Sequence, residues 1–512
     1  MRCYYFVARS QALDSCLKNT IKTQMPSAVI RQSHSRVTCR HHSNHNWWTT
    51  TLLTSLILFT TMFLFFVRKK EDKGKKWDYA RVHYASDVRV FVPEDESDLA
   101  KYLSDPQRIH ETVCIKGAGY SHGGNTLSND STQVDMRNIR NMRYFPASQL
   151  VVVEAGATWR HVLLYLAEHD RTVAEMQSYH NFSVGGSVSV NCHGRGVRYG
   201  SISDTIVSLR VCDAKGRVWT CSDEKNPELF RGVIGGYALL GIIVEVTLIT
   251  VPNVPVNFTD DLLASEVGDP KTVLFNAVLY PDRYDKLVGY SWKRSDKTTV
   301  STEGLPVCDI GPSYSHYASM LFEQILRRVP GVNRMREFVE PVIEARNTTT
   351  PAKRSFVTAT DATRLHGFVR FPTTTVLQEY FVPARRIREA LVALVPLFKK
   401  INIINVSLRY VKRVSRSVLN YAPVDSVSIV LYVNVWNTAN GLRAFGEWTD
   451  AVLTLIAHKN IDGRFYLPYL LSYDASVVRS MYGDAWKEMT RLKGVYDPGL
   501  RFRNLMYDHL VR

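Results

Sequence analysis

Residues 117–125 read Gly117-Ala-Gly-Tyr-Ser-His-Gly-Gly-Asn125, with four glycines in eight positions at the end of the strand-like stretch 111–119. Glycines at this density keep side chains away from the backbone, so successive N–H groups can turn toward an anion such as a pyrophosphate. The segment differs from the Rossmann GxGxxG pattern and lacks the lysine of a Walker loop. Alone, it predicts either an anion-binding nest or a tight loop.

Two further glycine clusters follow along the chain. Residues 183–195 read SVGGSVSVNCHGR, and residues 231–244 read RGVIGGYALLGIIV. Three separated clusters predict one extended ligand that is approached closely by backbone at several points.

The periodicity of the chain predicts an α+β protein. Residues 88–93 read as a strand, 94–105 as an amphipathic helix with leading acidic residues, and 111–119 as a second strand, which together make a βαβ start. A buried strand at 149–158 precedes a helical stretch, and the DAKG turn within 205–221 joins two strands as a hairpin. From about residue 255 longer segments appear, such as a helix at 388–401 and a strand at 426–436, which predicts a second α+β domain.

The ordered motifs GAGYSHGGNT, VEAGATW, SVGGSVSVNCHGRG and LFRGVIGGYALLGII resemble the FAD-binding domain of the vanillyl-alcohol-oxidase (PCMH-type) flavoproteins. The stretch YDPGLRFRN at 496–504 resembles a C-terminal signature of aldonolactone oxidases and decaprenylphosphoryl-ribose oxidases. The resemblance implies a PCMH-type FAD-binding domain of two subdomains at 83–255. A substrate, or cap, domain at 256–512 would follow, with a C-terminal segment that contacts the FAD.

The resemblance also implies which residues hold the cofactor. The pyrophosphate would be bound by Gly117, Ala118, Gly119, Tyr120, Ser121 and Asn125. Gly185, Gly186, Asn191, His193 and Gly194 would border the flavin ring and its ribityl chain, while Ile243, Val244 and Asn504 would add further contacts. Many relatives attach FAD covalently through a histidine at the position of Tyr120, so this tyrosine favours non-covalent FAD. His122, two residues further along, is the alternative attachment site.

Four residues are the predicted catalytic groups: His193, Arg409, Tyr466 and Tyr469. Arg409 stands where relatives place an active-site arginine, and a guanidinium there could polarise a hydroxyl group. Sugar-alcohol oxidases carry a glutamate two residues before this arginine, but here the residue is Ser407. Tyr466 and Tyr469 stand where some members carry a histidine and a lysine, and a tyrosine with a pKa near 10 is a poor base at neutral pH unless it is perturbed.

The N-terminal region predicts a membrane anchor. Residues 47–67 carry no charge and are long enough for one transmembrane helix, and the basic linker 68–82 follows. By the positive-inside rule the large C-terminal part would face the cytosol. Residues 1–46 hold seven Lys or Arg and a single acid, which is typical of a mitochondrial transit peptide and leaves an inner-membrane location open.

Composition excludes some classes of function. The net charge of +16 is spread along the chain without a nucleic-acid-binding motif, so no nucleic-acid partner is expected. The eight cysteines include no CxxC pair, so no metal site is predicted.

The sequence thus predicts a membrane-anchored FAD-dependent oxidoreductase that oxidises a CH–OH group of a sugar-like substrate by hydride transfer to flavin N5. The substrate would be an aldonolactone such as D-arabinono-1,4-lactone, or a lipid-linked sugar, and oxygen or another acceptor would reoxidise the flavin. Two alternatives stay open: an NADPH-dependent reductase of a sterol-type C=C bond, and a catalytically impaired flavin-binding scaffold.

Overall fold

The computed structural model describes residues 74–259, 268–281, 283–296, 351–358, 373–458 and 460–512. The N-terminal segment 1–46, the segment 47–67 that was predicted to span a membrane, and linker residues 68–73 lie outside these ranges. Within the described ranges, no helix has both the length and the apolar character needed to cross a membrane.

A hairpin and a small parallel sheet open the described chain. The elements are β1 (Lys75–Trp77), β2 (Tyr84–Ser86), β3 (Val88–Phe91), α1 (Glu96–Ser104), a 3-10 turn at Pro106–Arg108, β4 (Thr112–Lys116), β5 (Ser131–Asp135) and a second 3-10 turn at Met136–Asn138. Helix α1 begins where the Asp95 carboxylate caps the amide of Asp98, and acidic residues fill its first turn. The sheet order is β3-β5-β4, so β5 separates the two strands of the predicted βαβ start.

An antiparallel six-stranded sheet follows. Its region contains β6 (Met142–Phe145), β7 (Leu150–Glu154), α2 (Trp159–Ala167), β8 (Arg171–Val173), α3 (Val184–Ser189), a 3-10 turn (Ile202–Thr205), β9 (Ile206–Cys212), β10 (Val218–Cys221), α4 (Pro227–Val233) and β11 (Ile242–Pro252). The order is β10-β9-β11-β7-β6, with β8 also paired to β11. Strands β9 and β10 form the expected hairpin. The glycine-rich stretch 183–195 begins with the short helix α3.

The chain then enters an eight-stranded antiparallel sheet. Its region contains β12 (Pro255–Thr259), β13 (Thr272–Leu279), β14 (Leu287–Arg294), β15 (Ala352–Lys353), α5 (Arg354–Thr358), β16 (Thr373–Pro383), a 3-10 turn (Ala384–Arg386), α6 (Ile387–Phe398), β17 (Ile403–Val411), β18 (Ser426–Trp436), α7 (Ala439–Ala457), β19 (Arg464–Phe465), α8 (Ala475–Tyr482), α9 (Asp484–Tyr496) and α10 (Leu505–Val511). The order is β15-β12-β14-β13-β17-β18-β16-β19. The boundary predicted at 255/256 stays a prediction, although the chain changes sheets between β11 and β12.

The stretch after α9 returns to the first, parallel sheet. Phe502 forms a parallel bridge with Val113 of β4, and the amide of Val113 donates to the carbonyl of Arg501. The Arg501 guanidinium is buried and donates to the carbonyls of Leu103 and Ala214 at 2.6 Å each. Residues 497–504 therefore complete the sheet that precedes the glycine-rich segment 117–125.

Candidate functional site

A large cleft lies between the glycine-rich segments and the eight-stranded sheet. Its empty space is about 1420 Å³, a figure that includes solvent at the open mouth. Its lining includes eleven of the predicted cofactor residues: Gly117, Ala118, Gly119, Tyr120, Ser121, His122, Asn125, Gly185, Gly186, His193 and Ile243. It also includes the other predicted catalytic residues, Arg409, Tyr466 and Tyr469. The structure thus brings two distant parts of the chain to one cleft.

One wall of the cleft is made largely of backbone. A Cβ atom added to Gly117 would lie 2.0 Å from the Oγ atom of Ser183, and one added to Gly185 would lie 2.6 Å from the Cβ atom of Ala155. The amide of Ala118 donates to the same Ser183 hydroxyl at 3.3 Å. Segment 117–119 is therefore packed against the beginning of α3. Such a wall leaves room for a ligand to approach the backbone closely, which fits an extended dinucleotide.

Two predicted cofactor residues shape the loop after α3 and are not part of the cleft lining. Asn191 adopts the left-handed conformation with φ 49°, and its carbonyl accepts a hydrogen bond from the Tyr421 hydroxyl at 2.8 Å. A Cβ atom on Gly194 would lie 2.6 Å from a carboxylate oxygen of the buried Glu175. Asn191 and Gly194 therefore shape the course of the loop that carries His193.

Two other predicted cofactor residues, Val244 and Asn504, do not line the cleft but bond to backbone next to its lining. Val244 lies at a bulge of β11, where its carbonyl accepts from the amide of Ala155 at 2.8 Å. Asn504 caps α10, and its side-chain amide donates to the carbonyl of Tyr237 at 3.0 Å. Because Tyr237 lines the cleft, Asn504 acts on the cleft through this loop.

The third glycine cluster serves packing more than ligand approach. A Cβ atom on Gly236 would lie 2.0 Å from the carbonyl oxygen of Gly232, and one on Gly241 would lie 2.6 Å from Val211. The residues of this cluster that line the cleft are Tyr237, Ala238 and Ile243. Residues beside the glycines of the third cluster therefore border the cleft, whereas the glycines themselves serve packing.

The opposite wall is the face of the eight-stranded sheet that carries Glu379. Glu379 of β16 pairs with Val430 of β18, and Val430 also pairs with Ser407 of β17. Arg409 pairs with Ser428 on the same strands. Because residues paired directly across strands share a face, Glu379, Ser428 and Arg409 all project from one side of the sheet.

The carboxylate of Glu379 is the centre of a buried hydrogen-bond network. The Nε2 atom of His193 lies 2.5 Å from Oε1 of Glu379, and the side chains are 3% and 2% exposed. The Ser428 hydroxyl donates to the same oxygen. The Tyr469 hydroxyl donates to Oε2 at 3.0 Å. Both carboxylate oxygens therefore have donors, and the network joins the loop after α3 to the sheet.

This network fixes the protonation of its members. Burial raises the pKa of Glu379, but the neighbouring His193 and Arg409 outweigh burial, so its pKa lies below the usual value for a glutamate. Burial raises the pKa of Tyr466 and of Tyr469 well above the usual value near 10. At neutral pH the site therefore holds a carboxylate beside two neutral tyrosines.

The two predicted catalytic tyrosines are placed differently. Tyr466 donates its hydroxyl proton to the carbonyl of Val190 at 2.8 Å, which ties it to the loop after α3. Tyr469 instead contacts the Glu379 carboxylate. Of the two, Tyr469 has the partner needed for proton transfer.

Two buried nitrogen atoms at the cleft lack partners among the described residues. They are Nδ1 of His193 and Nε of Arg409, and both side chains line the cleft. Buried polar atoms are normally hydrogen-bonded, so these two atoms mark places where a bound molecule would supply the missing contacts.

Glu379 was not among the residues predicted for the site. The signal was present, since an acidic residue stands in the middle of the otherwise apolar-rich strand LQEYFVP at 377–383. A charged residue buried within a central strand requires a partner. That partner, His193, comes from a remote part of the chain.

Aromatic side chains line another part of the cleft. The ring centroids of Tyr120 and Phe182 lie 5.1 Å apart, and those of Tyr179 and Phe182 lie 5.4 Å apart. The hydroxyls of Tyr179 and Tyr432 hydrogen-bond to each other. We call these four residues, which include Tyr120, the aromatic wall.

Comparisons with known proteins agree with this geometry. Residues 88–222 match the family described as FAD binding domain. A putative D-arabinono-1,4-lactone oxidase of Neurospora crassa is 29% identical over 161 residues, covering 31% of this chain and 29% of that protein. Cytokinin dehydrogenase 3 of Arabidopsis thaliana is 30% identical over 174 residues, covering 32% and 33%. A D-arabinono-1,4-lactone oxidase of Yarrowia lipolytica is 28% identical over 196 residues, covering 37% and 36%.

These matches span about a third of the length of each relative. The backbone-lined wall, the unpartnered buried nitrogens and the family match all point to the same ligand. Residues 88–222 are an FAD-binding domain of the vanillyl-alcohol-oxidase (PCMH-type) superfamily, and FAD is the cofactor of this chain.

Proposed function

We propose that the chain is a membrane-anchored FAD-dependent oxidoreductase that oxidises a CH–OH group of a sugar-like substrate. The observation that carries this proposal is that Arg409, Glu379 and Tyr469 line the same cleft as the glycine wall of the FAD-binding domain. Relatives named D-arabinono-1,4-lactone oxidase support a sugar lactone as substrate and oxygen as acceptor. A lipid-linked sugar is the variant of this proposal that would use the single-pass anchor predicted at 47–67, with the catalytic part facing the cytosol or lying in the mitochondrion.

The residues of the cleft have different proposed roles. Gly117 to Ser121 would hold the pyrophosphate, and Gly185 and Gly186 would lie against the flavin. Bound FAD supplies a two-electron acceptor that takes hydride at N5. Arg409 places a permanent positive charge where negative charge develops on the substrate oxygen. The aromatic wall limits the access of water to the reacting carbon.

FAD is proposed to be bound without a covalent bond. Tyr120 stands at the attachment position of relatives, and its ring packs against Phe182 and Tyr79. His122 also lines the cleft, 5.6 Å from the Tyr79 ring, and is the alternative attachment site. Acid precipitation separates the two cases, because only non-covalent FAD stays in the supernatant.

The aromatic wall favours one alternative substrate. Tyr120, Tyr179, Phe182 and Tyr432 offer flat apolar surface, which suits a sterol-like ring as well as a lipid-linked sugar. NADPH-dependent reduction of a C=C bond is therefore the second candidate function. A flavin-binding scaffold without turnover is the third outcome of the test.

The test uses the full chain purified in detergent. We expect a flavin absorbance spectrum, release of the flavin by acid, and bleaching when D-arabinono-1,4-lactone is added without oxygen. Bleaching by NADPH and not by the lactone would instead indicate the reductase. A protein that binds FAD but is bleached by neither, nor by a lipid-linked sugar, would contradict the proposed oxidation.

A matched pair of arginine variants tests the role of the cleft. Arg409→Lys keeps the charge but loses the planar fork, so we expect the rate of bleaching to fall about tenfold to a hundredfold. Arg443→Lys changes an exposed arginine of α7 and should leave the rate unchanged. Equal rates in both variants would remove Arg409 from the reaction.

A further inference from the structure

Tyr469, Glu379 and His193 form a continuous hydrogen-bonded chain that starts at the cleft. Tyr469 lines the cleft and donates its hydroxyl proton to Oε2 of Glu379 at 3.0 Å. The other carboxylate oxygen, Oε1, is held by His193 and by Ser428. The two carboxylate oxygens thus have different partners: Oε1 bonds His193 and Ser428, and Oε2 bonds Tyr469.

We propose that Tyr469 and Glu379 form a proton relay, in which the substrate hydroxyl gives its proton to Tyr469 while Tyr469 gives its own proton to Glu379. This inference rests on the proposed function and deepens it. Tyr469 is the catalytic residue, because it would touch the reacting hydroxyl. His193 is a positioning residue that acts through Glu379.

The step balances in atoms and electrons. The substrate O–H bond breaks and its proton moves to the phenolic oxygen of Tyr469, while the Tyr469 O–H bond breaks and that proton moves to Oε2 of Glu379. The hydrogen on the substrate carbon leaves with its electron pair to the oxidised flavin named in the proposed function. The alcohol becomes a carbonyl, Tyr469 ends neutral as it began, and Glu379 ends protonated until its proton returns to solvent.

The relay explains how a tyrosine can serve at neutral pH. A buried phenol with a raised pKa does not ionise by itself, so Tyr469 alone would be a poor base. A relay never forms free tyrosinate, because each proton that arrives is matched by one that leaves. Glu379 can receive the proton because it begins as a carboxylate.

The carboxylate lies on a different strand from the one that the resemblance implied. Ser407, where sugar-alcohol oxidases carry a glutamate, hydrogen-bonds to Asn276 of β13, away from Tyr469. Glu379 lies in the same cross-strand row as Ser407, with Val430 between them. The acidic group thus stays on the same face of the sheet, two strands from that position.

Kinetics of flavin bleaching under anaerobic conditions test the relay. Tyr469→Phe and Glu379→Gln should each lower the bleaching rate about a hundredfold to ten-thousandfold, the usual contribution of general acid–base catalysis. The controls are Tyr473→Phe and Glu447→Gln. Tyr473 is a buried tyrosine outside the cleft lining whose hydroxyl has no partner among the described residues, and Glu447 is an exposed residue of α7. Rates in Tyr469→Phe that match those in Tyr473→Phe would overturn the proposal.

The pH profile separates positioning from simple structural support. His193→Ala removes a group that lowers the pKa of Glu379, so burial should move the acid limb of the rate to higher pH. His193→Gln keeps a donor near Oε1 but not the charge of the imidazole, so its acid limb should lie between those of the wild type and His193→Ala. An acid limb that does not move in His193→Ala would contradict the role of His193.

Infrared spectroscopy tests the relay without any turnover. Because other buried acids such as Glu175 also carry protons near neutral pH, the spectrum of Glu379→Gln is subtracted in each case. The wild-type difference spectrum at neutral pH should lack the C=O band of a buried carboxylic acid, and the His193→Ala difference spectrum should gain this band at a pH where Glu379 becomes protonated. The band should disappear in the double variant with Glu379→Gln. A Glu379 carboxylic-acid band in the wild type at neutral pH would overturn the relay, because a protonated group cannot accept the proton. This readout decides the relay even if the lactone fails to bleach the flavin, which would count against the proposed function alone.

Discussion

Lys493 should be among the most sensitive lysines of the described chain. Its side chain is 3% exposed, and its ammonium nitrogen lies 2.5 Å from Oδ2 of Asp497. It also donates to the carbonyls of Leu239 at 2.6 Å and of Phe502 at 2.5 Å. Lys493→Ala would leave the buried carboxylate of Asp497 without its cation, a change that costs about 3–5 kcal/mol in the free energy of unfolding.

The same helix provides a matched control. Lys487 of α9 pairs with Asp484, but its side chain is 80% exposed. Lys487→Ala should therefore change the free energy of unfolding much less than Lys493→Ala does. The assay is urea unfolding of the full chain in detergent, followed by circular dichroism, with FAD retention measured in parallel. Leu239 follows Ala238, which lines the cleft, so Lys493→Ala should also release FAD more readily. A loss no larger than that of Lys487→Ala would refute this reasoning.

Two further predictions concern glycine packing and pH. Gly117→Ala would place a Cβ atom 2.0 Å from the Ser183 hydroxyl, so FAD should bind about tenfold more weakly, a change of about 1.4 kcal/mol measured by FAD titration. Gly446→Ala in α7 is the control, because its Cβ would meet no heavy atom closer than 3.8 Å, and it should raise stability by up to about 1 kcal/mol. Burial raises the pKa of Glu175 to about 7, against the opposing charge of Arg354, so the stability that its protonated form contributes should be lost as the pH rises from about 4.5 to 7. Urea unfolding across that range should show a decline in the wild type that is larger by about 3 kcal/mol than in Glu175→Gln, and equal declines would contradict it.

The glycine wall was predictable because its information is local. The residues that let 117–125 approach a ligand lie next to one another in sequence, and the segment follows a strand whose pattern is visible by itself. The cleft lining therefore contains most of the predicted cofactor residues. Arg409 was predicted through the resemblance to the family, whereas Glu379, two strands away in the same sheet, was not.

The proton-handling network was not predictable in the same way. The bond between His193 and Glu379 joins residues 186 positions apart, and no local pattern in either segment specifies the other. Tyr466 and Tyr469 are equivalent as sequence letters, yet one bonds a backbone carbonyl and the other bonds a carboxylate. These assignments depend on strand order, which pairs β16 with β18 and not with β17.

The return of residues 497–504 to the first sheet has a consequence for how the protein is made. Arg501 donates to the carbonyl of Leu103, a residue 398 positions earlier, and Phe502 bridges to Val113. Contacts between such distant residues form late, because a long loop must close before they can form. During synthesis the glycine-rich segment 117–125 leaves the ribosome long before the stretch that braces it. The cofactor site is therefore completed only after the eight-stranded sheet has been translated, and flavin supply would be needed at that late stage of biogenesis, not while the FAD-binding domain is emerging.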